Sequence, residues 1–154
     1  MKILLVCSGN TCRSPLGAAM LAVKLSEAPD LVTVKVASAG TSAWERAPAS
    51  EGAYLIALER GLDLSGHRAR MLTAEIVADA DLILTMSEAH ARRVEQLGGA
   101  GKTFSLGAYA GRPENDRDVH DPMGGDVAGY RETGMVLDEL LTAVVRRLNR
   151  GNRA

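Results

Sequence analysis

The short run Lys2-Ile3-Leu4-Leu5-Val6 breaks at once into small and polar residues, Cys7-Ser8-Gly9-Asn10, and that break constrains the fold more than any other feature of the chain. A β-branched and leucine run of this length, closed by turn residues, predicts a buried strand. Ser14 and Pro15 then suit a helix start, and the alanine-rich stretch from Leu16 to about Leu25 suits the helix itself. The unit is strand, loop, helix. A loop so placed leads into a helix N-terminus, where backbone N–H groups and the positive end of the helix dipole come together.

The alternation continues along the chain. Val32 to Ala37 reads as a second strand, closed by the loop-like Ser38-Ala39-Gly40-Thr41-Ser42. Helical spacing resumes from about Ala49 to Arg60, with Gly61 as C-cap. Asp81 to Thr85 is a third strand around Leu82-Ile83-Leu84, and Glu88 to Leu97 a helix that stops before Gly98-Gly99. Lys102 to Ser105 is a short fourth strand, and Gly107 to Val119 a long charged surface loop. Near the C-terminus Tyr130, Leu137, Leu140, Leu141, Val144 and Leu148 share one helix face at three- and four-residue steps, with arginines opposite. Strands alternating with helices predict right-handed crossovers and a parallel sheet with helices on both faces, an α/β three-layer sandwich. The 154 residues fit a single domain spanning residues 1–154, since domains commonly run to ~100–150 residues. Ligands in such folds bind beyond the carboxyl ends of the strands, and Cys7 stands at that end of the first.

Composition narrows the partners. A formal net charge of -1 offers no basic field to nucleic acid, and Arg92-Arg93 and Arg146-Arg147 fall on helix surfaces. Ile3 to Val6 is far shorter than a signal-peptide core or a membrane span, so we read the chain as cytoplasmic, with no membrane partner. We expect a monomer. Two cysteines five residues apart are too few for a secreted disulfide framework or a four-ligand zinc site, which shifts the reading toward thiol chemistry.

A phosphate dianion needs several donors and a neutralising cation, and the segment Cys7 to Ser14 supplies both. Arg13 can fork onto two phosphate oxygens, a geometry lysine lacks. The same positive surroundings favour the thiolate of Cys7 as nucleophile. Ser14 can donate to the Cys7 sulfur when it departs, and Asn10 suits a turn that it orders through the backbone. The blander alternative is a core cysteine beside an ordinary turn. Leaving-group departure needs a proton donor, which a loop carboxyl near bound phosphate can be; Asp121 is a candidate with Asp116 and Asp118 as alternatives, and a solvated loop carboxylate is the blander reading.

The run Val6-Cys7-Ser8-Gly9-Asn10-Thr11-Cys12-Arg13-Ser14-Pro15 resembles the signature loop of the low-molecular-weight protein tyrosine phosphatase family. Ser38-Ala39-Gly40-Thr41-Ser42 and Asp121-Pro122 match further family landmarks in order and spacing. The resemblance implies a four-stranded parallel α/β sandwich, no metal or other cofactor, and phosphorylated proteins as partners. It also implies Cys7, Arg13 and Asp121 as catalytic residues working through a phosphocysteine. Phosphate would be held by Ser8, Gly9, Asn10, Thr11, Cys12 and Ser14, with Trp44 as a pocket wall and Ser38 and His67 supporting the loop from behind. Core packing is the alternative for Trp44.

Two departures stand out. Met123-Gly124-Gly125-Asp126 replaces the aromatic residues that commonly follow the Asp-Pro pair, which weakens phosphotyrosine stacking. Ser87 stands where many relatives carry a supporting Asp, so that contact is absent or rearranged. Thr11 matches the family's bacterial protein-arginine phosphatases, where tyrosine-specific members commonly have Ile. The leaning is therefore to phosphoarginine, with phosphotyrosine as the alternative. An arsenate reductase needs later cysteines, and none follows Cys12. A non-catalytic phosphate-binding module would not need Cys7, Arg13 and Asp121 together. Cys12 is either a resolving partner for a Cys7–Cys12 disulfide or a buried packing thiol.

Overall fold

The computed structural model describes residues 1–152. Four strands, β1 (Lys2–Cys7), β2 (Lys35–Gly40), β3 (Leu82–Thr85) and β4 (Thr103–Ser105), form one sheet in the order β2-β1-β3-β4. All three pairings are parallel, with Leu5 opposite Ser38 on one side and Leu84 on the other. Six helices accompany them: α1 (Arg13–Ser26), α2 (Glu51–Glu59), α3 (Ala74–Asp79), α4 (Glu88–Val94), α5 (Leu106–Tyr109) and α6 (Val127–Asn152).

β1 explains the layering. Ile3 through Val6 are at most 1% exposed, so both faces of the strand are covered. Ile3, Leu5 and Cys7 point into a core shared with Leu16, Leu21, Ile56, Leu137, Leu141 and Val144 of α1, α2 and α6. Leu4 and Val6 point the other way, into a smaller core with Leu72, Val77 of α3 and Val94 of α4. Each such fully buried aliphatic side chain contributes about 1.5–3 kcal/mol relative to exposure. The three-layer α/β sandwich expected from the alternation is thus present.

Several boundaries move. β2 starts at Lys35 rather than Val32, because Pro29–Leu31 forms a 3-10 turn and the Val34 N–H closes it onto the Leu31 carbonyl at 3.1 Å. It then runs through Ser38, Ala39 and Gly40, residues that read as loop. α1 begins at Arg13, before the expected Leu16, so Pro15 lies inside its first turn. α4 ends at Val94 and gives way to a π-type turn over Glu95–Gly99, with Gly98 at φ 101°. The long loop after β4 holds α5 and a 3-10 turn at Glu114–Asp116. No helix among the described residues is long and apolar enough to cross a membrane.

The chain leaves β1 for its neighbour β2 on one side and then places β3 on the other. The strand order therefore reverses between β1 and β3, and a crevice opens there beyond the carboxyl ends of the strands. The loops after Cys7 and after Thr85 flank it.

Candidate active site

The segment between β1 and α1 is held in shape mostly by Asn10. Its backbone is left-handed, φ 55°, which asparagine tolerates better than most residues. Its side chain is fully buried and spans three partners. Nδ2 donates to Ser14 Oγ at 2.8 Å and to Ser38 Oγ at 2.9 Å, while Oδ1 accepts from the Arg70 N–H at 3.0 Å. His67 Nε2 donates to the Asn10 carbonyl at 2.6 Å. Asn10, Ser38 and His67 thus stand together behind the loop. Arg70 joins them, its Nε donating to the Ser38 carbonyl at 2.9 Å.

Ser14 Oγ lies 2.9 Å from Cys7 Sγ. Because Ser14 already accepts from Asn10, its own hydrogen is free to point at the sulfur. Cys7 is 2% exposed at the end of β1. Among the described residues no acceptor in the protein takes the N–H groups of Ser8 to Cys12. The carbonyls of the same loop are engaged from the other side: Cys7 and Ser8 accept from Thr41 and Ser42 at 2.9 Å, and Thr11 from Ser50 at 2.8 Å. Donors left free at the start of a helix are what an anion requires.

Arg13 is buried in the first turn of α1. Its Nη1 donates to the Val119 carbonyl at 3.0 Å, and Nη2 lies 3.5 Å from Asp121 Oδ2. The guanidinium thereby ties the loop carrying Asp121 to the phosphate-loop side of the crevice. The Asp121 side chain is about half exposed, and Oδ1 accepts from the Met123 N–H at 3.0 Å. The two neighbouring carboxylates are occupied elsewhere. Asp116 pairs with Arg112 at 2.8 Å, and Asp118 Oδ1 accepts from the Glu88 N–H at the start of α4 at 3.1 Å.

Beyond Asp121-Pro122 the chain turns back, the Gly125 N–H donating to the Pro122 carbonyl at 2.8 Å with Gly124 at φ 81°. That turn demands glycine at its third position, which leaves no aromatic side chain there. Trp44 is 85% exposed, so core packing is not its role. Thr11 is half-buried within the loop, its Oγ1 beside Gly9. Cys12 is buried, and its thiol is pushed up to about 12 by burial first, then by the charges of Cys7 and Asp121.

Ser87 makes a rearranged contact rather than none. It caps α4, its Oγ accepting from the His90 N–H at 3.2 Å and lying 2.8 Å from His90 Nδ1. His90 Nε2 in turn lies 2.8 Å from Ser8 Oγ. Sequence reasoning misses His90 and Arg70. The available signal for His90 is Ser87-Glu88-Ala89-His90, an N-cap serine with a polar side chain three positions on, able to fold back as in a capping box. Among the described residues, no group of three or more His, Cys, Asp or Glu side chains could hold a metal ion.

Comparison with known proteins agrees with this geometry. The family model described as low molecular weight phosphotyrosine protein phosphatase matches residues 2–154. A protein-arginine-phosphatase of Geobacillus stearothermophilus is 36% identical over 149 residues, covering 96% of this chain and 95% of the relative. A low molecular weight protein-tyrosine-phosphatase of Acinetobacter johnsonii is 37% identical, covering 88% of this chain and 89% of the relative. Among solved structures, a YwlE arginine phosphatase, mutated from cysteine to serine and phosphorylated on that active-site serine, superposes with a TM-score of 0.88. It is 33% identical and covers 99% of both chains. The chain belongs to the low molecular weight phosphotyrosine protein phosphatase family.

Proposed function

We propose that the chain hydrolyses phosphorylated protein side chains through a phosphocysteine on Cys7, favouring phosphoarginine. The observation that carries this reading is the donor chain Asn10 to Ser14 to Cys7 beneath a loop of free N–H groups, faced by Arg13 and Asp121. The Cys7 thiolate attacks phosphorus, the bond to the leaving nitrogen or oxygen breaks, and Asp121 hands that atom its proton. Water then attacks the phosphorus and the Asp121 carboxylate takes up its proton. The sulfur–phosphorus bond breaks, and the Ser14 hydroxyl steadies the departing thiolate. Arg13 and the backbone of Ser8, Gly9, Asn10, Thr11 and Cys12 hold the phosphoryl oxygens throughout. Ser38 and His67 keep Asn10 in place, and Trp44 forms part of the mouth.

Thr11 and the glycine turn after Pro122 support a narrow polar slot suited to a guanidinium, and relatives on both sides of the choice keep phosphotyrosine as the second reading. The test uses para-nitrophenyl phosphate and matched phosphoarginine and phosphotyrosine peptides. A product burst lost in Cys7→Ser is expected, with a higher kcat/KM on phosphoarginine. Thr11→Ile should shift the ratio toward phosphotyrosine by about 10- to 100-fold, the scale a single pocket side chain supplies. A larger kcat/KM on phosphotyrosine in the wild type would reverse the preference and leave the mechanism standing.

A further inference from the structure

One imidazole bridges the crevice between β1 and β3. His90 is 7% exposed at the third position of α4, with Ser87 on its Nδ1 and Ser8, the residue after Cys7, on its Nε2, each at 2.8 Å. Burial first, and then the charge of Arg13, hold His90 below its ordinary value of 6.5, while Asp118 and Asp121 pull the other way. It therefore carries a single N–H at neutral pH. Ser87 Oγ accepts from the His90 backbone and keeps both its hydrogen and a second lone pair for Nδ1, so two tautomers satisfy this pair of contacts. In the tautomer where Ser87 gives its hydrogen to Nδ1, the imidazole proton lies on Nε2 and is spent on Ser8 Oγ. The Ser8 hydroxyl hydrogen is left over, on the residue that opens the phosphate loop.

We propose that His90 is a positioning residue which, by donating to Ser8 Oγ, fixes the Ser8 hydroxyl as a donor to a phosphoryl oxygen in the cradle. The inference rests on the reading of Cys7 to Ser14 as that cradle. The opposite tautomer would spend the Ser8 hydrogen on the imidazole and remove it from the reaction, so the two arrangements differ in what substitution does. Glutamine places an amide N–H₂ where Nε2 stands and keeps the bond to Ser8; asparagine reaches only the Nδ1 position.

Turnover of para-nitrophenyl phosphate separates these cases. His90→Gln should stay within about threefold of wild type, whereas His90→Asn should lose roughly tenfold, mainly in kcat, because an oxyanion donor counts most as charge moves onto the phosphoryl group. Ser8→Ala should lose a similar factor, and adding His90→Asn to it should cost nothing more. Equal losses in His90→Gln and His90→Asn, or losses that multiply in the double variant, overturn the relay. If His90→Asn does not fold, the cycle is run with Ser8→Ala and His90→Gln, where a His90→Gln loss persisting without Ser8 has the same meaning. A wild type without turnover, or a burst surviving Cys7→Ser, would instead bring down the cradle reading itself.

Discussion

Two thiols five residues apart meet different fates here. Both are buried in one core, but Cys7 ends β1 beside the Ser14 hydroxyl, whereas the Cys12 thiol is pushed up to about 12, burial being the main cause. Side-chain chemistry made Cys7, Asn10, Arg13 and Ser14 legible in the sequence, since each residue type has few uses in a loop before a helix. His90 was not legible, because its role is set by a partner 82 positions away. The burial of Cys12 has a kinetic consequence. Peroxide converts the Cys7 thiolate to a sulfenic acid with loss of hydroxide; a Cys12 thiolate can then attack that sulfur, expelling a second hydroxide and closing a disulfide. Oxidation removes the Cys7 charge but not the burial of Cys12, so Cys12 remains mostly protonated at neutral pH. The disulfide should therefore form slowly at pH 7 and close to tenfold faster per pH unit above it, as the Cys12 thiolate fraction rises. Trapping with dimedone after a peroxide pulse measures this: a large sulfenic adduct is expected at pH 7 and a small one at pH 9. Equal trapping at both values would contradict it.

Among the elements, β2 shows why local reading reached the fold but not its edges. Strand propensity reports fit to a neighbour more than an intrinsic preference. The apolar Val32 is exposed beyond a 3-10 turn, while small Ser38, Ala39 and Gly40 pair with Leu5, Val6 and Cys7. α3 and α5, of six and four residues, are too short to show a helical period. The small residues have a steric reason. A Cβ on Gly40 would lie 2.4 Å from the Ser8 carbonyl oxygen and 2.9 Å from the Asn10 nitrogen, both backbone atoms of the phosphate loop. Neither can swing aside. Gly40→Ala should thus destabilise the protein by about 1–3 kcal/mol, as overpacking does. Its activity should also fall by more than its folded fraction does, because the loop itself is displaced. Gly66, where an added Cβ would meet nothing within 4 Å, is the control, and Gly66→Ala should change stability by no more than about 0.5 kcal/mol. Urea midpoints and turnover on the same preparations decide it; Gly40→Ala behaving like Gly66→Ala would refute the steric account.

At the scale of the molecule, a sheet with a core on each face makes folding cooperative, so a group buried at the crevice reports on the whole. His90 is such a group. Its folded value lies below its ordinary 6.5, with burial the main cause, so between the two values the unfolded chain binds more protons than the native one. Stability then rises with pH through that window and falls as pH drops from about 6.5. Asp63, Asp79 and Glu59 are also held below their ordinary values, by hydrogen bonds from Ser65, Lys2 and Arg131. Their contributions are present above their ordinary 3.8 to 4.5 and are lost only at more acid pH. Acid destabilisation should therefore come in two stages, with the first, setting in as pH falls through about 6.5, belonging to the imidazole. His90→Gln carries no proton to gain, so its urea midpoint should hold steady as pH falls through about 6.5 while that of the wild type declines. Parallel decline from pH 7 downward would mean that acid reaches the molecule through another group and that His90 is free to charge in the native crevice.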